Sequence, residues 1–316
     1  MKQAITTPWF AIFAPALIGL GGATFCVKFA EDYGAVLFFG LPFLVPFLSA
    51  FFYSFQTKRS FGSCYGVGFL SILALGCFII LFALDGLICL LMALPLAALV
   101  ALPAVVLGRM AGQAATGKNS AILPLLMVIL FPGLVSFEEQ VRPEAPLKSV
   151  TTSVRINASA ESIWKTVVAF PKIDEPPTGI FRMGIAYPTE ARIDGSGVGA
   201  IRHCTFCTGS FVEPITVWDE NRKLAFDVTS SPPPMHEFSI YKHIDPPHLH
   251  GNLRSEKGQF ILKDMGGHVV LEGTTWYRHE IWPQWYWVPI TDHIIHTIHK
   301  RVLHHIKKTV ESPAPI

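Results

Sequence analysis

From Met1 to Val135 the chain carries charge only at Lys2, Lys28, Glu31, Asp32, Lys58, Arg59, Asp85, Arg109 and Lys118. Every histidine, and every tryptophan except Trp9, lies beyond that stretch. The apolar excess of the whole chain, 51% against 15% charged residues, is therefore gathered in its first half. Such a break predicts a membrane part followed by a water-facing part. A helix crossing the hydrocarbon core needs about 20 mostly apolar residues. Spans are expected at 9–27, 34–55, 66–84, 87–108 and 121–137, making residues 1–137 an all-α transmembrane bundle of about five helices. Asp85-Gly86 divides the long run 66–108, because an Asp at an interfacial turn avoids a cost of roughly 3 kcal/mol at the bilayer centre. Lys2 ahead of an apolar stretch is also how a secretory signal begins. The length of that stretch and the spans after it favour an uncleaved anchor.

Five spans place Lys2, Lys58, Arg59, Arg109 and Lys118 on one side, against Lys28, Arg142 and Lys148 on the other. Lys/Arg bias then puts the first side in the cytoplasm. The expected location is the cytoplasmic membrane of a bacterium, with the second half of the chain outside the cytoplasm; four spans would reverse the side. No intramembrane ionisable cluster, repeat or paired broken helix points to a transport path, so the helices are read as an anchor or a lipid-facing scaffold. A net charge of +2 without a basic run gives no reason to expect nucleic acid as a partner. Cys26, Cys64, Cys77 and Cys89 fall in apolar segments and are expected to pack as small hydrophobes, leaving Cys204 and Cys207 for any sulfur chemistry.

After a linker at 138–147 the periodicity becomes that of strands. Residues 150, 152, 154 and 156 alternate on one face, and Ser159 is placed to cap a short helix. Strand-like runs follow at 187–193, 199–206, 211–218, 223–229, 258–263 and 268–281, and 288–311 reads as a long helix before a tail at 312–316. A strand, a helical connection, a run of antiparallel strands and a closing helix make an α+β plan.

The succession "VRINASAESIWKTV", "GSGVGAIRHC", "VEPITVWDENRKLAFDV" and "GTTWY", closed by the long helix, resembles the SRPBCC (START/Bet v1-like) superfamily, in particular its polyketide cyclase/dehydrase and lipid-transport branch. The resemblance covers roughly 148–311 and not the membrane half. It implies a helix-grip fold, in which a curved sheet wraps the last helix around an apolar ligand cavity. That superfamily includes binders, carriers and enzymes, so fold alone does not choose among functions.

If 199–206 is a strand, Cys204 and Cys207 face opposite ways with Cα atoms about 10 Å apart, too far for a disulfide. They are read as plain strand cysteines. On the last helix Ile294, Ile298, Val302 and Ile306 mark an apolar face, with His299 and His305 in or beside it. Asp292, His296 and His299 share one edge, which would let Asp292 orient a histidine acting as general base; the alternative is a buried histidine bonded to backbone or Tyr. Glu213 shares a strand face with Phe211, Ile215 and Val217, and burial there would make it an acid candidate; a bulge at Pro214 would instead leave it wet. The candidate catalytic residues are thus His299, Asp292 and Glu213.

The Pro-rich connection 230–251, with His236, His243, His248 and His250, suits a loop over a cavity mouth. An H-x-H pair at His248 and His250 with His236 or Glu237 is weak evidence for a metal, and neither a metal nor a cofactor is expected. Trp276, Tyr277 and Trp282 stand in an aromatic cluster suited to a pocket mouth or a core corner. With Phe211, His248 and His305 they are the expected ligand contacts. The leading function is a membrane-tethered domain that binds or transfers a lipid or another apolar small molecule. The alternative is a cyclase-, dehydratase- or hydrolase-like enzyme using the cavity His, Asp and Glu, although no nucleophile or dinucleotide motif is present.

Overall fold

The structure is a computed structural model that describes residues 5–116, 122–241, 244 and 246–312; Lys2, Lys118, His243 and the first residue of the fifth expected span lie outside these. By internal contacts the chain forms two units, one of Met1–Pro143 with Glu237–His248 and Ile281–Pro283, the other of Glu144–His236, Leu249–Glu280 and Gln284–Ile316.

Among the described residues of the first unit five helices are long and apolar enough to cross a membrane: α1 (Pro8–Thr24, continued by a π-helical turn Phe25–Ala30), α2 (Leu41–Tyr53, preceded by the π-helical Val36–Gly40), α3 (Phe61–Leu81), α4 (Leu87–Ala114) and α5 (Ile122–Val141). Thr7 caps α1 by accepting from Phe10 N, with Pro8 in the first position, where its missing N–H costs nothing. Ser60 caps α3 in the same manner. The long apolar run breaks after Leu81, and at the break Asp85 Oδ1 accepts the N–H of Gly86 at 2.7 Å.

The centre of the bundle is α2, which packs against the other four helices. Its tightest contact is with α4. A Cβ added to Gly108 would lie 2.3 Å from the carbonyl oxygen of Phe47, and one added to Gly112 would lie 2.5 Å from that of Phe51. Small residues four apart thus bring two backbones together, which is how helices gain packing where lipid removes any hydrophobic drive. Polar contacts gather at the two ends. At one, Arg142 holds Asp32 through two contacts of 2.5 and 2.6 Å while Glu138 accepts the N–H groups of Ala35 and Val36. At the other, Arg109 Nε donates to the carbonyl of Arg59 and Gln56 N to that of Gly112.

The second unit is a seven-stranded antiparallel sheet with two helices. Its elements are β1 (Lys148–Ile156), α6 (Ala160–Val168), β2 (Pro188–Asp194), β3 (Ile201–Phe206), β4 (Gly209–Asp219), β5 (Lys223–Asp227), β6 (Leu253–Asp264), β7 (Val269–His279) and α7 (Gln284–Glu311). The spatial order is β1-β7-β6-β5-β4-β3-β2. Although β1 and β2 are opposite edges of that sheet, both pack against α7. The sheet must therefore curl around the helix, and this arrangement fits the helix-grip plan. Register shifts at Pro188/Glu190, Ile215/Val217 and Ser255/Lys257 supply the bending, since an extra residue on one strand kinks it and raises the local twist. The core between sheet and helices is built on Ile156, Ile163, Val167, Leu224, Leu271 and Ile306. Trp164 of α6 closes it, edge-on to Trp218 at 5.3 Å.

Several boundaries differ from the sequence-based expectation: α3 begins at Phe61 and not at 66, α4 runs to Ala114 and not to 108, and α5 runs to Val141, into the expected linker. β6 begins at Leu253 and not near 258; Arg254, Ser255, Glu256 and Lys257 are polar and their burial does not alternate, so no strand period marks this part in the sequence. α7 begins at Gln284, before Pro289, so Trp285, Tyr286 and Trp287 form its first turn.

Replacing Gly108 or Gly112 by Ala should lower the unfolding temperature of the detergent-solubilised chain, by the equivalent of about 1–3 kcal/mol for overpacking. Gly62→Ala is the control, since no atom lies within 4 Å of its added Cβ and helix propensity favours Ala there by about 1 kcal/mol. Equal behaviour of the two substitutions would show that the α2–α4 contact is not tight.

Candidate functional site

Alternation along β3 sends Ala200, Arg202, Cys204 and Phe206 inward, and this places a guanidinium inside the curl of the sheet. Its partner is across the strand pair. Arg202 and Glu213 are register neighbours of β3 and β4, their side chains are in direct ionic contact, and both are buried, at 1% and 6% exposure. Arg202 Nε also donates to the carbonyl of Val168, and the rings of Phe170, Phe226 and Phe260 surround the cation at 5.6–5.8 Å. Burial pushes the Glu213 carboxyl above the ordinary carboxylate range while the Arg202 charge pulls it back. Removing either member of a buried pair strands the other charge, at a cost of about 3–5 kcal/mol.

The pair forms part of the wall of a cavity of about 110 Å³ between sheet and α7. Phe206, Phe211, Phe226, Phe260, Val302 and Leu303 make most of its apolar lining, and Thr274, Thr275, Gln259 and His299 add polar groups. Thr275 Oγ1 and Thr152 Oγ1 hold His299 from either side, at 2.8 Å from Nε2 and 3.1 Å from Nδ1. Thr152 also reaches His296 Nδ1 at 2.7 Å. Burial, and next the neighbouring His296, push the His299 pKa down to about 4. A neutral imidazole on this wall gives or takes a hydrogen bond near neutral pH, and as a proton acceptor it is weak.

Of the residues singled out from sequence, Glu213, Phe211 and His299 line the cavity. Asp292 does not orient His299: it accepts the Tyr277 hydroxyl at 2.7 Å, two helical turns away, beside the small cluster of Val150, Tyr277 and Ile295. Tyr277 is fully buried in that contact, and burial pushes its hydroxyl pKa up. His305 faces another way, against the Phe170 ring at 5.6 Å and 4.0 Å from Glu175. Trp276 lies under the Lys257 ammonium at 5.2 Å. Cys204 is buried in the cavity wall, its thiol pushed up to about 12 by burial, and Cys207 opens the β3–β4 turn; both are free thiols.

Two expected ligand contacts belong to the helical unit. The N–H of Trp282 donates to the carbonyl of Tyr33, and the His248 ring packs at 4.9 Å from that of Tyr33. Within that unit His248 meets Asp85, Cys89 and Glu237. Cys89 is accordingly not a mere apolar filler: its Sγ is 3.0 Å from His248 Nε2. The sequence signal for Arg202 was a cation at an inward position of a strand. For the helical-unit cluster it was Asp85 and Cys89 spaced i, i+4 across a helix start, which fixes only half of the group.

No family model and no curated protein sequence matches the chain. Solved structures similar to it include norcoclaurine synthase from Thalictrum flavum (17% identity, TM-score 0.35, covering 55% of this chain and 99% of that one). Protein XoxI from Bacillus cereus is 15% identical with a TM-score of 0.33, covering 51% of this chain and 94% of that one. The di-domain ARO/CYC protein BexL is 13% identical with a TM-score of 0.34, covering 66% of this chain and 64% of that one. Likenesses this remote carry no weight for activity, and the fold stands on its own strand order and terminal helix.

A histidine whose folded pKa of about 4 lies below its ordinary 6.5 favours the neutral form. Its contribution is full above pH 6.5 and is lost as the pH falls through the folded pKa, because only the unfolded chain takes up the proton in that window. Stability should fall by about 2–3 kcal/mol between pH 6.5 and 4 from this group, at about 1.4 kcal/mol per unit. Urea unfolding of the full chain in detergent, followed by tryptophan fluorescence, should show that slope and its loss in His299→Gln. An unchanged slope in the variant would place the titration elsewhere.

Proposed function

We propose that the chain is an integral membrane protein whose residues 148–311 form a helix-grip domain of the SRPBCC type, and that this domain binds a small apolar molecule bearing a polar group. The observation that carries the reading is the cavity itself: aromatic and aliphatic walls, with a buried ion pair and a neutral histidine as the fixing groups. This is the composition of small-molecule sites in general, where apolar area supplies affinity and a few polar groups set orientation. Its size narrows the guest. An enclosed apolar space of about 150 Å³ takes a benzene ring, so one of about 110 Å³ suits a single ring or a short acyl segment. A full lipid chain would need the walls to move apart.

A proton-transfer enzyme is the second reading, and the placement of His299 on the cavity wall favours it. Its depressed basicity and the absence of an Asp292 contact weaken it, and binding remains the better account.

Organic extraction of the purified protein followed by mass spectrometry should release an apolar compound of this size class. A fluorescent apolar probe should bind the wild type and should be excluded by Val302→Trp, which fills the cavity. Binding that persists unchanged in that variant, with no compound extracted, would remove the cavity from the function.

Membrane insertion is supported by the apolar side chains left on the outside of the bundle, among them Trp9, Leu17, Leu70, Leu99, Leu126 and Ile129, which water would not tolerate as one continuous surface. Lys58, Arg59 and Arg109 lie toward the same end of the bundle, and the positive-inside rule assigns that end to the cytoplasm, which after five spans leaves the carboxy terminus outside it. A carboxy-terminal reporter that is active only outside the cytoplasm should therefore be active, and activity of the cytoplasm-specific reporter instead would reverse the orientation.

A further inference from the structure

At the head of α4 the helical unit gathers a thiol, an imidazole and two carboxylates. Asp85 lies in the turn before the helix, Cys89 in its first turn, and Glu237 and His248 come from the Glu237–His248 segment that belongs to the same unit. One ligand atom from each falls within 4.8 Å of all the others. Cys89 Sγ and His248 Nε2 are 3.0 Å apart, and His248 Nδ1 is 3.7 Å from Asp85 Oδ2. His248 is buried and its ring is held by Tyr33, while the Glu237 oxygens accept the N–H groups of Ile88 and Cys89 at 3.0 and 3.1 Å. These bonds orient the carboxylate and leave two of its roughly four lone-pair sites for another partner. Among the described residues no lysine or arginine makes a salt bridge to Asp85 or Glu237.

We propose that Asp85, Cys89, Glu237 and His248 bind one divalent first-row transition ion of the zinc type. Carboxylates partly shielded from water and crowded together are costly without a cation, and among the described residues no lysine or arginine pairs with these two. The donor set selects the ion. Thiolate and imidazole are borderline-soft ligands that suit zinc, whereas magnesium and calcium take oxygen alone. Four protein ligands with bonds of about 2.0–2.3 Å make a closed tetrahedral centre. Binding closes the wider of the ligand separations, which reach up to 4.8 Å, and releases the Cys89 thiol proton, since the thiolate is the ligand. The ion fastens the Glu237–His248 segment to the start of α4. This site is independent of the cavity and of what the cavity binds.

The test uses the full-length chain in detergent, stripped with chelator and titrated with Co²⁺ alone. One equivalent should saturate it, giving a sulfur-to-cobalt charge-transfer band with the intense d–d bands of a tetrahedral centre, and Zn²⁺ should displace it. Cys89→Ser should lose the charge-transfer band, His248→Gln should bind at least about tenfold more weakly, and Cys77→Ser, on an exposed thiol of α3, should match the wild type. A second measurement needs no variant: Zn²⁺ should protect Cys89 of the native chain from alkylation, read by peptide mass spectrometry. Absence of saturable Co²⁺ uptake, a charge-transfer band that survives Cys89→Ser, or Cys89 alkylation unchanged by Zn²⁺ would each overturn the proposal.

Discussion

The α+β unit depends on one requirement, that a single helix satisfy both edges of one sheet. β1 and β2 are as far apart as the strand order allows, and each meets α7. A flat sheet cannot do this, so the three register shifts are structural necessities and the hollow is their by-product. A curled layer leaves more room at its middle than at its edges, where the side chains of β1 and β2 touch the helix. The middle strands therefore face a space that Leu303 and Val302 only partly fill. The buried Arg202–Glu213 pair sits on that concave face, on adjacent strands and in register, so strand pairing itself aligns the two charges.

The helical unit obeys a different constraint. On the proposed membrane reading, apolar side chains gain little by leaving lipid for one another, so close backbone contact takes the place of burial, and Gly108 and Gly112 permit it. Polar contacts are displaced to the helix ends, where Asp32 with Arg142 and Arg109 with the Arg59 carbonyl tie the connections together. The Asp85 group belongs to this class of helix-end contacts, and it differs from the others in that, among the described residues, no arginine pairs with it.

Much of this was legible in the sequence because it follows from composition and period. The charge-poor first half, the strand alternation from residue 148 and the Ser159 cap each depend on neighbours within a few positions. Register-dependent features were harder. Alternation left Glu213 either on an inward face or wet at a bulge by Pro214, and its partner was set by the pairing of β3 with β4, which alternation alone does not give. The i, i+7 spacing of Asp292 and His299 placed them on one edge of α7, yet two turns of helix separate their side chains, and Tyr277 on β7 reaches Asp292 first. His248 was read as a cavity contact because it lies in a Pro-rich connection suited to a cavity mouth, whereas its segment belongs by contact to the helical unit. The Gly108 and Gly112 spacing was present in the sequence, and its meaning came only with the carbonyls of Phe47 and Phe51.

Thr152 touches Nδ1 of both His296 and His299. A hydroxyl owns a single hydrogen, so it can supply one ring at most, and at least one of the two imidazoles must carry its own hydrogen on Nδ1. If that ring is His299, its other nitrogen is bare and takes the hydrogen of Thr275; if His299 instead accepts from Thr152, its Nε2–H points at Thr275. The tautomer chosen beside β1 thereby dictates the direction of hydrogen order on β7, and the cavity wall has a polarity that can reverse without any heavy atom moving.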